Sequence, residues 1–493
     1  MRRKDEVEAQ SCSEQDRWTF YEAIKFGWEE EKMERPWLKF YDPHVPRDVE
    51  IPDIPIYRIL EDTADRFPKR PAIYFFGGKM NYGELRNQMN LFTQALMNFG
   101  FQKGERLGMI LANMPQGVIG AFGAMKAGVT PVFFDPLIEN EEIHRQLNDS
   151  RVETVVILDI ILPRVAKVFP QTRVKKFIVA SVKEYLPFPR DFFFSLAAKG
   201  RGLIVDIPRQ ANFFSFKQMI QNTLLDPSSR AGAAIGGSAE AVIQYTSGAE
   251  GSPKGVVLTH RNLVANAMQA ASWMGEEEKG KEAFLSILPF HHAYGMTLGM
   301  NLPILRGAAS VHFPRFETGQ ALANIHKHKI TFFPASPPMV EALATYLLVS
   351  HKRVSSLKSC WAVGGAISEE TIKGFERNMA ARLIPFYGLT EASPLTHGAP
   401  VLGKRKEGSV GIPLPNTDAR IVDPQDPAKE KPVGEEGELI IRGPQVMKAY
   451  WKNPEETGKK LQDGWLRTGD LARMDEEGYF YVLGKLNPVP KAS

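Results

Sequence analysis

A chain of 493 residues is too long for one hydrophobic core, so several subdomains are expected. Its 43% hydrophobic and 24% charged residues are typical of globular proteins and exclude a disordered chain. The formal net charge of +4 argues against a dedicated nucleic-acid-binding protein, which usually carries a concentrated basic stripe. A local basic patch that meets an anionic membrane or a phosphate-bearing ligand is still compatible with that charge.

Cysteine content and hydropathy indicate in which cellular compartment the protein works. Cys12 and Cys360 are too few and too far apart for a disulfide framework, which favours a reducing compartment. No stretch reaches the ~18 consecutive apolar residues that a membrane-spanning helix needs. Residues 1–6 are charged and no apolar segment follows them, so they do not read as a secretory signal. The sequence therefore predicts a cytoplasmic protein.

The predicted elements alternate between strands and helices along most of the chain. Residues 1–35 are charged with scattered aromatic residues and predict a helix or a loose arm. Residues 60–67 have the apolar spacing of a helix, and Asn81 is a plausible N-cap of the next one. A helix is then expected at 116–127, and strands are expected at 106–111, 129–134, 155–158 and 177–180. This alternation predicts βαβ units and a parallel sheet. From residue 408 to 443, short strand-like runs alternate with Pro, Gly and Asn, which predicts a β-rich subdomain.

Residues 245–255 carry the strongest chemical signal, with the sequence YTSGAEGSPKG between two apolar, strand-like runs. Backbone N–H groups of such a Gly-rich loop can converge on one anion. Thr246 and Ser247 add hydroxyl donors, and Lys254 adds a positive charge. The loop is not a Walker A motif, because that motif needs Gly-Lys-Ser/Thr at the start of a helix. It predicts a phosphate-binding loop, with a mobile surface hairpin as the simpler alternative.

The loop resembles the phosphate loop of the adenylate-forming superfamily, which includes acyl-CoA synthetases, luciferases and the adenylation domains of peptide synthetases. Further matching blocks follow in the family's order: LPFHHAYG at 288–295, GGA at 364–366, YGLTE at 387–391, GELIIRGP at 437–444 and GWLRTGDL at 464–471. On these six blocks the chain is identified as a member of that superfamily. The similarity extends from about residue 37 to residue 484.

The resemblance implies an α/β fold, in which a large N-terminal domain has two βαβ-type subdomains and a smaller β-rich subdomain shaped as a distorted barrel. The expected divisions are an N-terminal arm at 1–35, α/β subdomains at 36–407, a β-rich subdomain with the ribose-binding motif at 408–484, and a truncated hinge and tail at 485–493. The family continues through an Arg-x-Lys-Asp hinge into a mobile C-terminal domain. Here Lys485 stands at the Arg position, and that domain is expected to be absent.

The same resemblance implies a nucleotide-binding set drawn from these blocks. Its members are Thr246, Ser247, Gly248, Gly251, Lys254, Gly364, Gly365, Ala366, Tyr387, Gly388, Thr390, Glu391 and Asp470. Tyr387 would stack on adenine, and Asp470 would accept hydrogen bonds from the ribose hydroxyls. The segment at 364–366 has no bulky side chain, so its backbone can approach a ligand closely. The simpler readings are core packing for Tyr387, a turn-forming role for Asp470 and an ordinary turn for the glycine pair.

Four of the implied residues are expected to be catalytic: Thr246, Lys254, Glu391 and His292. ATP requires Mg²⁺, which prefers oxygen ligands, and Glu391 and Thr246 are the expected metal ligands. His292 matches the family's histidine at the carboxylate end of the acyl pocket, with a structural role as the alternative. A general base is not expected, because a carboxylate is already nucleophilic at neutral pH and the reaction mainly needs charge neutralisation and alignment.

Residues 34–38, 52–57 and 184–189 look like segments of bacterial long-chain fatty acid–CoA ligases. The implied function is Mg²⁺- and ATP-dependent activation of a long-chain fatty acid to an acyl-adenylate, followed by transfer to coenzyme A. The implied partners are the fatty acid, ATP and CoA, with a homodimer as one option and without nucleic acid. Aromatic and basic residues between 185 and 216 predict either peripheral contact with a membrane or ordinary packing under a long loop.

Two alternatives stay open. In one, the acyl-adenylate is passed to a carrier-protein thiol instead of CoA. In the other, the chain is a non-catalytic paralogue that binds acyl groups or nucleotides. Ala249 stands where the family has Ser or Thr, so one hydroxyl donor to the phosphates is lost, and this favours the second alternative.

Overall fold

The structure is a computed structural model that describes residues 35–189, 210–225, 235–246, 252–275, 279–350 and 354–486. The chain separates into two compact units, Met1–Pro36 and Trp37–Ser493, and every element named below belongs to the second. Residues 1–34 of the predicted arm lie outside the described residues. So do five residues of the predicted phosphate loop: Ser247, Gly248, Ala249, Glu250 and Gly251.

The strands are numbered in chain order. They are β1 Pro71–Phe75, β2 Gly78–Asn81, β3 Arg106–Ile110, β4 Thr130–Phe133, β5 Thr154–Leu158, β6 Lys176–Ala180, β7 Phe213–Ser215, β8 Glu240–Tyr245, β9 Gly255–Thr259, β10 Ala283–Ser286, β11 Ala309–His312, β12 Phe332–Ala335, β13 Ser359–Ala362, β14 Arg382–Gly388, β15 Leu395–Gly398, β16 Ile412–Pro413, β17 Asp418–Val422, β18 Gly437–Arg442, β19 Ala449–Tyr450, β20 Leu461–Gln462, β21 Trp465–Met474 and β22 Phe480–Lys485.

The α-helices are numbered in the same way. They are α1 Tyr57–Arg66, α2 Tyr82–Asn98, α3 Pro115–Lys126, α4 Asn140–Ser150, α5 Leu162–Val165, α6 Phe216–Gln221, α7 His260–Met274, α8 Ala293–Met296, α9 Leu302–Arg306, α10 Thr318–His328, α11 Pro337–Ser350, α12 Glu369–Met379 and α13 Pro454–Lys460. A π-helical turn, Thr297–Asn301, joins α8 to α9.

The predicted βαβ region between residues 106 and 180 forms most of an eight-stranded sheet, with the order β19-β9-β8-β4-β3-β5-β6-β7. Strands β3 to β7 pair in parallel, while β8 and β9 form an antiparallel hairpin. Every residue of β4 and β5 is buried, as expected for parallel strands covered on both faces. The predicted strands and the helix at 116–127 are confirmed to within one or two residues.

A second, nine-stranded sheet has the order β16-β15-β14-β13-β12-β10-β11-β1-β2. Its central strands, β10 to β14, pair in parallel, so their carboxyl ends share one edge. One face packs on α10, α11 and α12 through an apolar core that includes Leu285, Phe333 and Leu383. The α/β class predicted from the sequence is confirmed.

The third sheet is small and antiparallel, with the order β17-β18-β21-β20 and β22 paired to β21. It confirms the predicted β-rich region. Two short strands from the same part of the chain leave it: β16 joins the nine-stranded sheet and β19 joins the eight-stranded sheet.

Local capping rules account for the start of α2. The Asn81 side chain accepts a hydrogen bond from the Glu84 N–H at 2.8 Å, and Glu84 accepts one from the Asn81 N–H at 2.8 Å. This capping box confirms Asn81 as the N-cap. Within the described residues, the helices are all too short or too polar to cross a membrane.

Candidate active site

A cavity of about 800 Å³ opens where the three sheets meet. Every predicted site residue that the structure describes lines it: Thr246, Lys254, His292, Gly364, Gly365, Ala366, Tyr387, Gly388, Thr390, Glu391 and Asp470. Ser247, Gly248 and Gly251 lie outside the described residues. The structure therefore brings together residues that are more than two hundred positions apart in the chain, while their individual roles remain predictions.

The topology of the nine-stranded sheet explains much of this convergence. Gly364 and Gly365 follow β13, Thr390 and Glu391 follow β14, and His292 lies six residues after β10. Because β10, β12, β13 and β14 are parallel, the loops that leave their carboxyl ends meet at one edge of the sheet. Ligands of open α/β sheets bind at such edges.

The backbone conformation and packing at this edge require glycine at two positions. Gly364 has φ +81°, in the left-handed region that a side chain disfavours. A Cβ at Gly388 would lie only 1.9 Å from the Pro394 carbonyl oxygen, so any larger residue would displace that backbone. The close approach of a ligand to the backbone of residues 364–366 stays a prediction.

The predicted phosphate loop is the connection of the β8–β9 hairpin, and its described ends are closed by two reciprocal hydrogen bonds. The Thr246 N–H donates to the Lys254 carbonyl at 3.0 Å, and the Lys254 N–H donates to the Thr246 hydroxyl oxygen at 3.0 Å. Arg145 of α4 donates to the Pro253 carbonyl at 2.8 Å. The Lys254 ammonium lies 2.6 Å from a Glu456 carboxylate oxygen. The loop therefore leaves β8 and re-enters β9 at fixed positions.

Glu391 lies in a short 3-10 turn directly after β14. Its Oε1 accepts a hydrogen bond from the Tyr450 hydroxyl at 2.7 Å, and its other carboxylate oxygen has no hydrogen-bond partner among the described residues. The part of the chain that the structure describes has no group of three or more His, Cys, Asp or Glu that could hold a metal. Mg²⁺ in nucleotide sites takes only one or two protein oxygens, since phosphates and waters supply the others, so Glu391 and Thr246 fit that ion.

Tyr387, Asp470 and Lys485 form a polar network in the cavity around the buried Asp470 carboxylate. The Tyr387 hydroxyl donates to Asp470 Oδ2 at 2.7 Å, and the Lys485 ammonium lies 3.0 Å from Asp470 Oδ1. Burial, and then the Asp470 carboxylate, raise the pKa of Tyr387 well above its ordinary value, so its phenol stays a neutral donor. A carboxylate offers about four lone-pair positions, which leaves Asp470 free to accept further bonds from two hydroxyls.

His292 is the N-cap of α8 and stacks on Tyr294, with ring centroids 5.5 Å apart. Its Nδ1 accepts a long hydrogen bond, 3.4 Å, from the Tyr294 N–H. Burial lowers the pKa of His292, and it lowers the pKa of the neighbouring His291 to about 4. Both imidazoles are therefore neutral at pH 7, and His292 with an acceptor at Nδ1 carries its proton on Nε2. A neutral N–H donor, rather than a base, fits the end of a substrate carboxylate.

Sequence reasoning missed Tyr450, Glu456 and Lys485, each of which bonds to a predicted site residue. Tyr450 and Lys485 line the cavity, and Glu456 reaches it through Lys254. Only Lys485 had a sequence signal, as a departure from the family's arginine. Tyr450 and Glu456 are brought to the site because β19 pairs with β9, and no local sequence pattern predicts that pairing.

Comparison with known proteins agrees with the six sequence blocks. The model of the "AMP-binding enzyme" family matches residues 60–451. The chain is 39% identical over 458 residues to the long-chain-fatty-acid–CoA ligase of Bacillus subtilis (strain 168), across 92% of this chain and 80% of that protein. It is 30% identical over 463 residues to the ligase of the same name from Yersinia pestis, across 92% of this chain and 81% of that one.

Among solved structures, a long-chain-fatty-acid-CoA ligase (FadD1) from Archaeoglobus fulgidus superposes with a TM-score of 0.78 at 25% sequence identity. The superposition covers 91% of this chain and 87% of that one. The predicted superfamily and fold are thereby confirmed. The family model spans most of the chain, the relatives match over nine-tenths of it, and the family's sequence blocks line the cavity. The chain therefore belongs to the AMP-binding family of adenylate-forming enzymes.

Proposed function

We propose that the protein is a long-chain fatty acid–CoA ligase that uses Mg²⁺ and ATP. The observation that carries this proposal is the meeting, in one cavity, of the Lys254 ammonium, the Glu391 carboxylate and the Tyr387–Asp470 pair. These groups match the phosphates, the metal and the nucleoside of ATP in that order. The long-chain substrate is supported by the relatives that share 39% and 30% identity over nearly the whole chain.

In the first half-reaction, an oxygen of the fatty acid carboxylate attacks the α-phosphorus of ATP, and pyrophosphate leaves. The carboxylate is ionised at neutral pH, so no base is needed. In this proposal Lys254 and the Thr246 hydroxyl, which both line the cavity, neutralise and orient the polyphosphate. Glu391 and Thr246 would hold Mg²⁺, which would supply neutralisation of the phosphate charge.

The other residues of the cavity have orienting roles in this proposal. Asp470 accepts hydrogen bonds from the ribose hydroxyls, and Tyr387 presents its ring to adenine and its hydroxyl to Asp470. The neutral His292 donates from Nε2 to the substrate carboxylate. In the second half-reaction, the CoA thiolate attacks the acyl carbonyl carbon, and AMP leaves as the acyl–phosphate bond breaks.

Three further aspects stay predictions. Contact with an anionic membrane was predicted from residues 185–216, most of which lie outside the described residues. A homodimer and a cytoplasmic location are also predictions. Transfer to a carrier protein in place of CoA is tested by offering both acceptors to the preformed acyl-adenylate.

Calorimetry with a non-hydrolysable palmitoyl-adenylate analogue, such as the acyl sulfamoyladenosine, tests the proposal. We expect tight binding that weakens by about 100-fold in Asp470→Ala, because a charged acceptor for two hydroxyls is lost. Release of pyrophosphate in the presence of palmitate, and of shorter acids as controls, then measures turnover. A folded protein that binds no analogue and releases no pyrophosphate would support the non-catalytic alternative and contradict the proposal.

A further inference from the structure

Residues 449–460, here called the bridging segment, comprise β19 and α13 and lie against the outer strand of the phosphate-loop hairpin. Tyr450 pairs with Val256 of β9 in antiparallel register. The Trp451 N–H donates to the Gly255 carbonyl at 2.6 Å, one residue beyond Lys254. A Cβ on Gly255 would meet Trp451 Cβ at 3.2 Å, so the two backbones approach closely. The bridging segment is thus attached to the strand that begins directly after the phosphate-loop lysine.

Tyr450 contacts both charged groups at the phosphate end of the cavity. It is 4% exposed, and its hydroxyl donates to Glu391 Oε1 at 2.7 Å. The Lys254 ammonium lies 5.3 Å from the centroid of its ring, within the range of a cation–π contact. One aromatic side chain therefore separates the lysine from the carboxylate and touches each of them.

Glu456 holds the lysine from the other side. Its Oε2 lies 2.6 Å from the Lys254 ammonium, and this hydrogen bond lowers the pKa of Glu456, so the carboxylate is ionised. The Glu456 N–H donates to the Asn453 side chain at 3.1 Å, which fixes the first turn of α13. Thr457 ties that turn back to Tyr450, because its hydroxyl oxygen accepts from the Tyr450 N–H at 3.0 Å. Tyr450 and Glu456 thereby form one connected unit.

Lys254 directly precedes β9 of one sheet and Glu391 follows β14 of another, and the bridging segment contacts both residues. A lysine side chain is long and flexible, so its charge acts in catalysis only where something fixes it. An ammonium has three donors, and one bond to Glu456 leaves two for phosphate oxygens. One bond from Tyr450 likewise leaves the second oxygen of Glu391 for a metal. The contacts orient both groups without saturating them.

We propose that Tyr450 and Glu456 are positioning residues for adenylate formation: Tyr450 orients Glu391 toward the metal, and Glu456 orients Lys254 toward the phosphates. This inference rests on the proposed function. The bridging segment then sets the distance between the metal and phosphate groups, although neither residue touches the reacting atoms. Outer residues that orient a metal ligand commonly contribute about 10- to 100-fold to metal affinity or activity.

The test compares Tyr450→Phe, Glu456→Ala and Glu456→Gln with two control variants. Glu455→Gln lies on the same helix and removes only an exposed partner of Lys459. Tyr481→Phe removes a tyrosine hydroxyl that donates to Asp475 at 3.2 Å, in the small sheet. Thermal unfolding checks that each variant is folded, and fatty-acid-dependent ATP–pyrophosphate exchange measures adenylate formation.

Tyr450→Phe is expected to raise the Mg²⁺ concentration needed for half-maximal exchange by about tenfold and to leave AMP affinity within about twofold. Glu456→Ala is expected to lower kcat by about tenfold, and Glu456→Gln, which keeps an oxygen acceptor for the lysine, is expected to recover most of that loss. The control variants should behave as the wild type. An unchanged Mg²⁺ dependence in Tyr450→Phe would overturn the proposal.

A different result for Glu456 would also overturn it. If Glu456→Ala lowers KM for ATP while kcat is kept, the ion pair is a brake that ATP must break rather than a positioning contact. Calorimetric affinity for Mg-ATP relative to AMP gives a readout that does not need turnover. If the wild type binds Mg-ATP but catalyses no exchange, the proposed function fails. The positioning proposal is then tested by binding alone: it is supported if Tyr450→Phe and Glu456→Ala reduce the affinity for Mg-ATP relative to AMP, and overturned if they do not. Failure of the wild type to bind either nucleotide would overturn both.

Discussion

The proposed nucleoside end of the cavity, formed by Tyr387, Asp470 and Lys485, differs from its proposed phosphate end, formed by Lys254 and Glu391, in what holds it. At the nucleoside end the polar groups bond to one another, whereas at the phosphate end they are held by the bridging segment. Tyr387, Asp470 and Lys485 make two direct contacts, at 2.7 Å and 3.0 Å, around one buried carboxylate. Lys254 and Glu391 instead depend on Glu456 and Tyr450, at 2.6 Å and 2.7 Å. The nucleoside end is therefore held by contacts among its own residues, while the phosphate end is a junction between two sheets. AMP affinity and the rate of adenylate formation should therefore respond to different substitutions.

The largest effect that separates the two ends is expected from Lys254→Met, which keeps much of the side-chain length and removes the charge. Loss of one donor aimed at transition-state charge costs about 10²- to 10³-fold in kcat. AMP affinity should stay within about twofold, because the nucleoside end is untouched. ATP–pyrophosphate exchange and calorimetry with AMP measure the two quantities. Equal losses in both would show that the two ends are not separable.

A smaller effect is expected from Tyr387→Phe at the nucleoside end. The substitution removes a partly buried hydrogen bond to a carboxylate, so the free energy of unfolding should fall by about 1.5 kcal/mol. AMP affinity should fall as well, since Asp470 loses one of the groups that orient it. Urea unfolding and calorimetry measure these changes, with Tyr481→Phe as the matched control. Unchanged stability would mean that the nucleoside end is no more integrated into the fold than the phosphate end.

The smallest effect concerns pH and His397, whose ring lies 5.7 Å from that of Tyr387. Burial lowers the pKa of His397 to about 3, so the folded state keeps it neutral while the unfolded state binds a proton below about pH 6.5. The unfolded state thus binds more protons on acidification, and stability falls as pH drops from about 6.5 toward 3. This one group contributes a slope of about 1.4 kcal/mol per pH unit.

Urea unfolding at pH 7, 6 and 5 measures the slope, and His397→Gln should reduce it by that amount. Burial also lowers the pKa of His260 and His312, to about 4 and about 3, so a residual slope of the same sign is expected in the variant. An identical slope in the wild type and the variant would show that His397 is not buried neutral. The nucleoside end would then be more accessible to water than its contacts indicate.

The candidate site was predictable wherever its residues belong to short runs that carry their own signal. The phosphate loop lies between two apolar strands, and β8 and β9 confirm both. Glu391 and Asp470 were found because each closes a recognisable block. Tyr450 and Glu456 were missed, because their partners lie 59 and 202 residues away. Nothing in the residues around them distinguishes them from an exposed tyrosine and a helix-surface glutamate.

By itself, the sequence determined the local elements and the chemical groups. Helix periodicity, the Asn81 capping box and the buried runs of β4 and β5 are properties of neighbouring residues, so they are readable along the chain. Only the tertiary structure decided that Lys485 pairs with Asp470 and that Glu456 pairs with Lys254. The physical reason is that an ion pair requires only proximity and opposite charge. Proximity between distant segments is set by strand pairing, here of β19 on β9 and β22 on β21, which leaves no periodic trace in the sequence.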